Sequence, residues 1–242
     1  ITRAITRSIA GVETIVFIEL EAAANAHYSL STAWNASSSF RVEFDILTSA
    51  TVRSGILSGV TTTNAFVRME AAGTLRIRPN AAGASLDSTI GINDGVLNHI
   101  EIVGGAGGAT IYTNGVASGS DTQDWSGFFV EELARRAGAE YLEGILSNLK
   151  LTDLTTPANS LEFGLNNLIA NTETSNGVTL TYNNIATTQD VRDTYTLAGG
   201  DWLGSELLEQ PINLLTNWLA AGGASGITAT TFGTTSVGGV YT

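Results

Sequence analysis

Two acidic residues spaced two positions apart, Glu43 and Asp45, are the first side chains in the sequence that could do chemistry. Side chains alternate across a β-strand, so residues two positions apart lie on the same face. Hydrolysis of a glycosidic bond needs two carboxyl groups that flank the scissile bond. Glu43 and Asp45 are therefore the first pair of carboxylates to consider for such chemistry.

That strand is predicted at residues 39–48, SFRVEFDILT. Its apolar and charged residues alternate with the period of two that is typical of a strand with one buried face. We expect the apolar side chains to enter a core and the charged ones to point away from it: Phe40, Val42, Phe44 and Ile46 against Arg41, Glu43 and Asp45.

Further short strands follow at the even spacing of an antiparallel meander. They carry charged residues that are predicted to join Glu43 and Asp45 in a mixed-charge surface on one sheet: Arg68, Glu70, Arg76 and Arg78. Arg68 and Arg76 are candidate carbohydrate-binding residues. Trp125 is a third candidate, because an aromatic face can stack on a pyranose ring. The alternative for Trp125 is a place in the core or under a loop.

The longest stretch with recognisable strand and turn patterns runs from residue 98 to residue 153. Residues 99–103 and 110–113 alternate as strands, and Asn114-Gly115 supplies the positive φ angles that a tight turn requires. A long strand is predicted to end at residue 153.

Two stretches of this region, NHIEIVGGAGGATIYTNGV and YLEGILSNLKLTD, resemble concanavalin A-like lectin/glucanase domains of the laminin-G-like kind. The similarity is greatest to the copies found in bacteriophage tail-fibre and other virion proteins, and it covers residues 26–166. It implies an all-β fold, an antiparallel jelly-roll β-sandwich with N- and C-terminal extensions. We expect a connecting segment at 1–25, a Thr/Asn-rich closing segment at 167–210 and the start of a further β-module at 211–242.

Hydrolases of this family carry the motif E-x-D-x-x-E, in which the outer carboxylates are the nucleophile and the acid. Glu43 and Asp45 match its first two members, but Leu47 and Thr48 stand where the last glutamate belongs. We therefore predict no catalytic residue and no enzymatic activity. His99 stands where relatives place a structural hydrogen-bonding residue, and we expect that role rather than that of a base.

Many relatives hold one calcium ion through loop oxygen atoms, which suit this hard cation. The loop residues that could contribute are Asp87, Asn93, Asp94, Asp121 and Asp124. No D-x-D-x-D-G loop occurs, and each of these residues is also at home in a turn. We predict no metal and no cofactor, with calcium as the alternative.

The composition restricts the partners. The formal net charge is −12, with 11 basic residues against 23 acidic ones, which argues against nucleic acid and against an anionic membrane surface. No apolar run reaches the length of a membrane helix. Cysteine is absent, so disulfides and thiolate metal sites are excluded. The chain begins with Ile1 rather than Met, and we expect it to be a segment of a longer polypeptide.

The combined expectation is a non-enzymatic phage virion protein, structural or part of a fibre, located in the extracellular particle. Its lectin-like module would attach to host-surface glycans or decorate the particle, beside other virion proteins. We expect a homo-oligomer, with a trimer favoured, whose subunits meet at exposed strand edges and at residues 15–18 and 211–219. The alternatives are a glycan hydrolase or depolymerase and a secreted bacterial adhesin.

Overall fold

A computed structural model describes residues 4–9, 13–60, 65–79, 83–167, 170–185, 195–196 and 202–203, with side chains described from residue 18 to residue 185. The further β-module predicted at 211–242 and the subunit contact predicted at 211–219 lie outside the described residues. Of the apolar run at 15–18, the backbone lies in a strand, and the side chain of Ile18 is buried.

Sheet 1 has eight strands. In spatial order these are β1, β2, β13, β4, β9, β10 and β11, with β14 also beside β13. Their bounds are Ala4–Ile9 for β1, Glu13–Leu20 for β2, Phe40–Leu47 for β4, Asn98–Gly105 for β9, Gly108–Thr113 for β10, Val116–Asp121 for β11, Gly144–Asp153 for β13 and Leu161–Phe163 for β14.

Sheet 2 also has eight strands, in the order β15, β16, β3, β12, β5, β6, β7 and β8. Their bounds are His27–Asn35 for β3, Ser54–Ser58 for β5, Phe66–Met69 for β6, Thr74–Arg78 for β7, Leu86–Gly91 for β8, Phe129–Leu133 for β12, Thr172–Ser175 for β15 and Val178–Asn183 for β16. Single 3-10 turns occupy Ala22–Ala24 and Pro157–Asn159. The strands β17 (Tyr195–Thr196) and β18 (Trp202–Leu203) form a two-stranded sheet of their own. Within the described ranges, no helix has the length and apolar character needed to cross a bilayer.

The core lies between sheets 1 and 2 and is built by alternation along their strands. In β4, Phe40, Val42, Phe44 and Ile46 are buried as predicted, and in β6 and β7 the core residues are Val67, Met69, Leu75 and Ile77. Every residue pairing recorded within the two sheets is antiparallel. The predicted all-β antiparallel sandwich is confirmed.

The predicted mixed-charge surface on a single sheet is wrong. Glu43 and Asp45 lie on β4 in sheet 1, whereas Arg68 and Arg76 lie on β6 and β7 in sheet 2. Alternation places each side chain on the outer face of its own strand, but it does not say which sheet the strand joins. The molecule therefore has two separate charged faces.

The two sheets also extend beyond the predicted limits of 26–166. The strand β2 pairs with β13 through Leu20 and Gly144, so part of the expected connecting segment belongs to sheet 1. The hairpin of β15 and β16 pairs with β3 and adds two strands to sheet 2. The sandwich therefore includes residues on both sides of the resembling region.

One side of the sandwich brings an edge of each sheet into contact. The hydroxyl of Thr89 on β8 donates to the carbonyl oxygen of Ser118 on β11 over 3.0 Å. A Cβ atom on Gly119 would lie only 2.5 Å from the carbonyl oxygen of Asp87, so glycine permits this close approach. The strands β8 and β11 therefore cover each other along this side.

Asp153, the last residue of β13, fastens two loops at one end of the sandwich. Its buried carboxylate accepts hydrogen bonds from Ser37 N at 3.0 Å and Ser37 Oγ at 2.6 Å. It also accepts from Thr155 N at 2.9 Å and Thr156 N at 2.8 Å. Burial opposes ionisation, but these donors outweigh it and lower the pKa of Asp153 to about 2. The chain entering β4 is thereby tied to the chain leaving β13.

Candidate functional site

Five arginines gather on the outer face of sheet 2, on and beside β5, β6 and β7. The register of β6 and β7 places Arg68 directly opposite Arg76 and Phe66 directly opposite Arg78. We use the name arginine cluster for this group together with its carboxylates: Arg53, Arg68, Arg76, Arg78 and Arg136, with Glu70, Asp87 and Glu140. The cluster holds five of the eleven basic residues of the chain.

Glu70 is the central carboxylate of the arginine cluster. It accepts from Arg68 Nε at 2.7 Å and Arg53 Nε at 3.1 Å, and Arg76 Nη1 lies 3.3 Å away. Burial disfavours the charged carboxylate, but the hydrogen bonds and charges of the arginines prevail and lower the pKa of Glu70. Glu70 thereby holds three guanidinium groups in place.

Arg76 forms a two-pronged pair with Asp87 on the neighbouring strand. Its Nε and Nη2 atoms donate to the two carboxylate oxygens over 2.6 and 2.7 Å. This pairing raises the pKa of Arg76 and lowers the pKa of Asp87. The side chain of Arg76 is 34% exposed, so a firmly positioned guanidinium group faces solvent.

The loop after β12 brings the fifth arginine over the same face. Its backbone crosses β5, where Gly55 N donates to the carbonyl oxygen of Glu140 over 2.8 Å. A Cβ atom at Gly55 would lie 2.4 Å from Arg136 N, so this close crossing requires glycine. Within the loop, Arg136 Nη1 donates to Glu140 Oε2 over 3.0 Å.

Phe66 forms the floor of one half of the cluster. Its ring is buried although it lies outside the core between the sheets. The guanidinium carbons of Arg68 and Arg78 each lie 4.9 Å from the ring centroid, and that of Arg136 lies 4.4 Å away. Such contacts are favourable cation–π geometry. Burial, together with the charges of Arg136 and Arg68, lowers the pKa of Arg78.

The structure brings two of the three predicted sugar-binding residues together, Arg68 and Arg76. For Trp125 the sugar-binding role is wrong and the alternative, a place in the core, is confirmed: its side chain is 0% exposed, and its indole Nε1 donates to Asp121 over 2.7 Å. Sequence reasoning did not assign Phe66 or Arg136 to the site. The period-two spacing of Phe66, Arg68 and Glu70 was the available signal for Phe66.

The outer face of sheet 1 carries the two carboxylates that suggested hydrolysis. Asp45 accepts from His99 Nδ1 and from Asn148 Nδ2, each over 2.7 Å, so His99 has a structural hydrogen bond. Glu43 lies opposite Glu101 in the β4–β9 register. At the position of the last glutamate in the hydrolase motif, Thr48 is buried and donates to the carbonyl oxygen of Glu143 over 2.7 Å.

The five loop residues considered for calcium all have polar protein partners; Asn93 Nδ2, for example, donates to the carbonyl oxygen of Ala50 over 3.4 Å. Asp87 pairs with Arg76, and Asp121 accepts from Trp125, as described above. Asp94 accepts from Val96 N and Asp124 from Ser126 N, over 3.0 and 2.8 Å, as turn residues do. Across the ranges with described side chains, no three His, Asp or Glu residues are grouped to hold a metal ion.

His27 connects the base of the cluster loop to β3. Its Nε2 faces Arg135 Nη1 at 3.0 Å, and its Nδ1 lies 2.9 Å from the carbonyl oxygen of Asn25. Since guanidinium can only donate, Nε2 must accept, and Nδ1 carries the proton. Arg135 also pairs with Glu132 Oε1 over 2.8 Å. Burial, then the charge of Arg135, lowers the pKa of His27 against the opposing hydrogen bond to Asn25.

This geometry predicts a loss of stability in mild acid. The unfolded chain takes up the His27 proton near pH 6.5, and the folded chain does so at a lower pH. The free energy of unfolding should therefore fall as pH drops below 6.5. Urea unfolding at pH 7 and pH 5 measures this fall. His27→Gln should reduce it, whereas His99→Gln, which leaves His27 in place, should keep it; equal falls in both variants would contradict the assignment.

No protein-family model and no curated protein sequence matches the chain. Solved structures do resemble it. The native heptameric SAP-like pentraxin from Limulus polyphemus has 19% identity and a TM-score of 0.41, over 53% of this chain and 70% of that one. The enzymatically active domain of bacteriophage CBA120 tailspike protein 2 has 12% identity and a TM-score of 0.45, over 63% of this chain and 28% of that one.

The carbohydrate binding module CBM66 from Bacillus subtilis has 12% identity and a TM-score of 0.31, over 76% of this chain and 94% of the module. The fold itself is an antiparallel β-sandwich. At this level of identity the likeness is one of architecture, and function has to be argued from the site itself.

Proposed function

We propose that this chain is a non-enzymatic glycan-binding module of a bacteriophage virion, carried in a structural or fibre protein. The module attaches the particle to host-surface glycans or decorates its exterior. The phage assignment is supported by the resemblance of residues 98–153 to domains of virion proteins. The non-enzymatic assignment is supported by the residues at positions 47 and 48, Leu47 and Thr48, which stand where the last glutamate of the hydrolase motif belongs.

The observation that carries the glycan assignment is the prearranged array of guanidinium donors on the outer face of sheet 2. Guanidinium groups donate to sugar oxygens in a fixed planar fork. Glu70 and Asp87 already hold Arg68 and Arg76, so little side-chain freedom remains to be lost on binding. A sugar can therefore be met by donors that are positioned before it arrives.

The affinity of one such site for a sugar is expected to be low. A virion protein present in several copies can bind through several sites at once. Several copies in a homo-oligomer, a trimer in our proposal, raise the effective concentration of the second and third sites. Binding should therefore be measured on a multivalent support. A glycan array probed with the displayed chain, with and without calcium, tests the proposal; binding that free sugar competes away supports it, and a blank array with folded protein overturns it.

Replacing Arg76 provides the matched test of the site. Arg76→Gln removes a partly exposed donor and should weaken binding to the array ligand about tenfold, the usual cost of a charge-assisted hydrogen bond. The control is Arg41→Gln on sheet 1, which removes another partly exposed arginine, paired with Glu101 over 2.9 Å. Both variants change the net charge equally. Equal weakening in the two would mean that the arginine cluster is not the binding site.

A further inference from the structure

Positive charge outweighs negative charge in the arginine cluster. Five guanidinium groups meet three carboxylates, while the chain as a whole has a formal net charge of −12. Glu70 and Asp87 bind Arg53, Arg68 and Arg76, and Glu140 accepts from Arg136 over 3.0 Å. Over the whole group, the cluster still has two more positive than negative charges.

Three guanidinium groups of the cluster surround the ring of Phe66. Arg68 and Arg78 come from facing strands, and Arg136 comes from the loop over β5. Their mutual repulsion contributes to the lowered pKa of Arg78. An anion bound among them would relieve that repulsion, and the low exposure of Arg68 and Arg136, 10% and 12% of their side chains, would strengthen the attraction.

We infer that the arginine cluster selects glycans that carry an oxyanion on the sugar, a carboxylate or a phosphate, which would lie against Arg68, Arg78 and Arg136. The inference rests on the proposed glycan-binding function and names its ligand class. Planar guanidinium groups bind both oxyanions through paired hydrogen bonds. Because the rest of the chain is acidic, a polyanion is repelled at long range and has to be recognised locally.

Two pairs of polymers, each matched in sugar and differing in charge, test the inference. Oligogalacturonate is compared with its carboxyl-reduced neutral form, and phosphomannan with dephosphorylated mannan. The multivalent chain should bind at least one charged member about tenfold more tightly than its neutral partner, and the advantage should shrink as salt is raised. The pair that shows the preference identifies carboxylate or phosphate as the anion.

Single arginine substitutions show which side chains cause the preference for the charged polymers. Arg78→Gln and Arg136→Gln should each abolish most of the charged-over-neutral preference, and Arg41→Gln should keep it; thermal melts show which variants remain folded. A preference that survives in a folded Arg78→Gln or Arg136→Gln variant overturns the inference. Equal binding of charged and neutral members also overturns it while sparing the glycan function.

Two further outcomes have different meanings. If the folded chain binds no glycan on the array and no member of either polymer pair, the glycan function and the inference are both overturned. If the chain binds single-stranded DNA as tightly as it binds the charged glycans, it binds polyanions indiscriminately. That result would overturn the inference that it selects a sugar.

Discussion

Asp153→Asn is expected to lower the free energy of unfolding by about 3 kcal/mol, because the variant leaves a buried site lined with donors that now face an amide. The carboxylate accepts from Ser37, Thr155 and Thr156 and ties the start of β4 to the end of β13. Urea unfolding followed by tryptophan fluorescence at pH 7 measures the loss. Asp124→Asn is the control, since exposed Asp124 accepts a similar turn hydrogen bond from Ser126.

The same variant should change the response to acid. The pKa of Asp153 falls from 3.8 to about 2 on folding, so its ionised form stabilises the fold above pH 3.8. This stabilisation, about 2 kcal/mol from the difference in pKa, is lost as pH falls from 3.8 through 2. The protein with Asp153 should therefore lose more stability over this range than Asp153→Asn. Parallel losses in the two proteins would show that Asp153 is not the titrating group.

Gly55→Ala is expected to cost about 2 kcal/mol of stability and to weaken glycan binding at the same time. The new Cβ would lie 2.4 Å from Arg136 N and 2.5 Å from the carbonyl carbon of Arg135. These are backbone atoms, so the loop has to move away from β5. Arg136 and Glu140 would leave the cluster with it, although neither residue has been changed.

Gly107→Ala is the matched control, because a Cβ atom at Gly107 meets nothing within 4 Å. Denaturant unfolding and array binding should both stay near those of the unchanged protein. Hydrogen exchange at the amides of Gly55 and Leu142, which bond to Glu140 and Ala134, reports directly on the loop. Unchanged exchange and unchanged stability in Gly55→Ala would contradict the crossing described here.

Local features of the fold could be predicted from residue patterns because their causes are local. The alternation from Phe40 to Ile46 set which side chains are buried. Asn114-Gly115 forms a turn with positive φ angles of 52° and 78°, as this Asn-Gly pair predicted. Each of these features depends on a few neighbouring residues.

The arrangement of the site depends on distant residues, and the sequence pattern did not contain it. Arg68 and Arg76 were recognised as outward-facing, but Arg136 reaches them only because a loop from β12 crosses β5, far away in the sequence. Trp125 shows the same limit. Its type suggested a ligand-stacking surface, whereas the hydrogen bond to Asp121 lets the indole satisfy its polar atom inside the core.

The contact between β8 and β11 has a consequence for how copies of this protein can associate. An uncovered sheet edge offers backbone donors and acceptors to a strand from another molecule. Where β8 and β11 cover each other, an incoming strand would first have to part them. In the described part of the chain, the opposite ends of the two sheets are β1 and β15. A strand from another molecule that adds to a sheet edge would therefore meet β1 or β15 rather than β8 or β11.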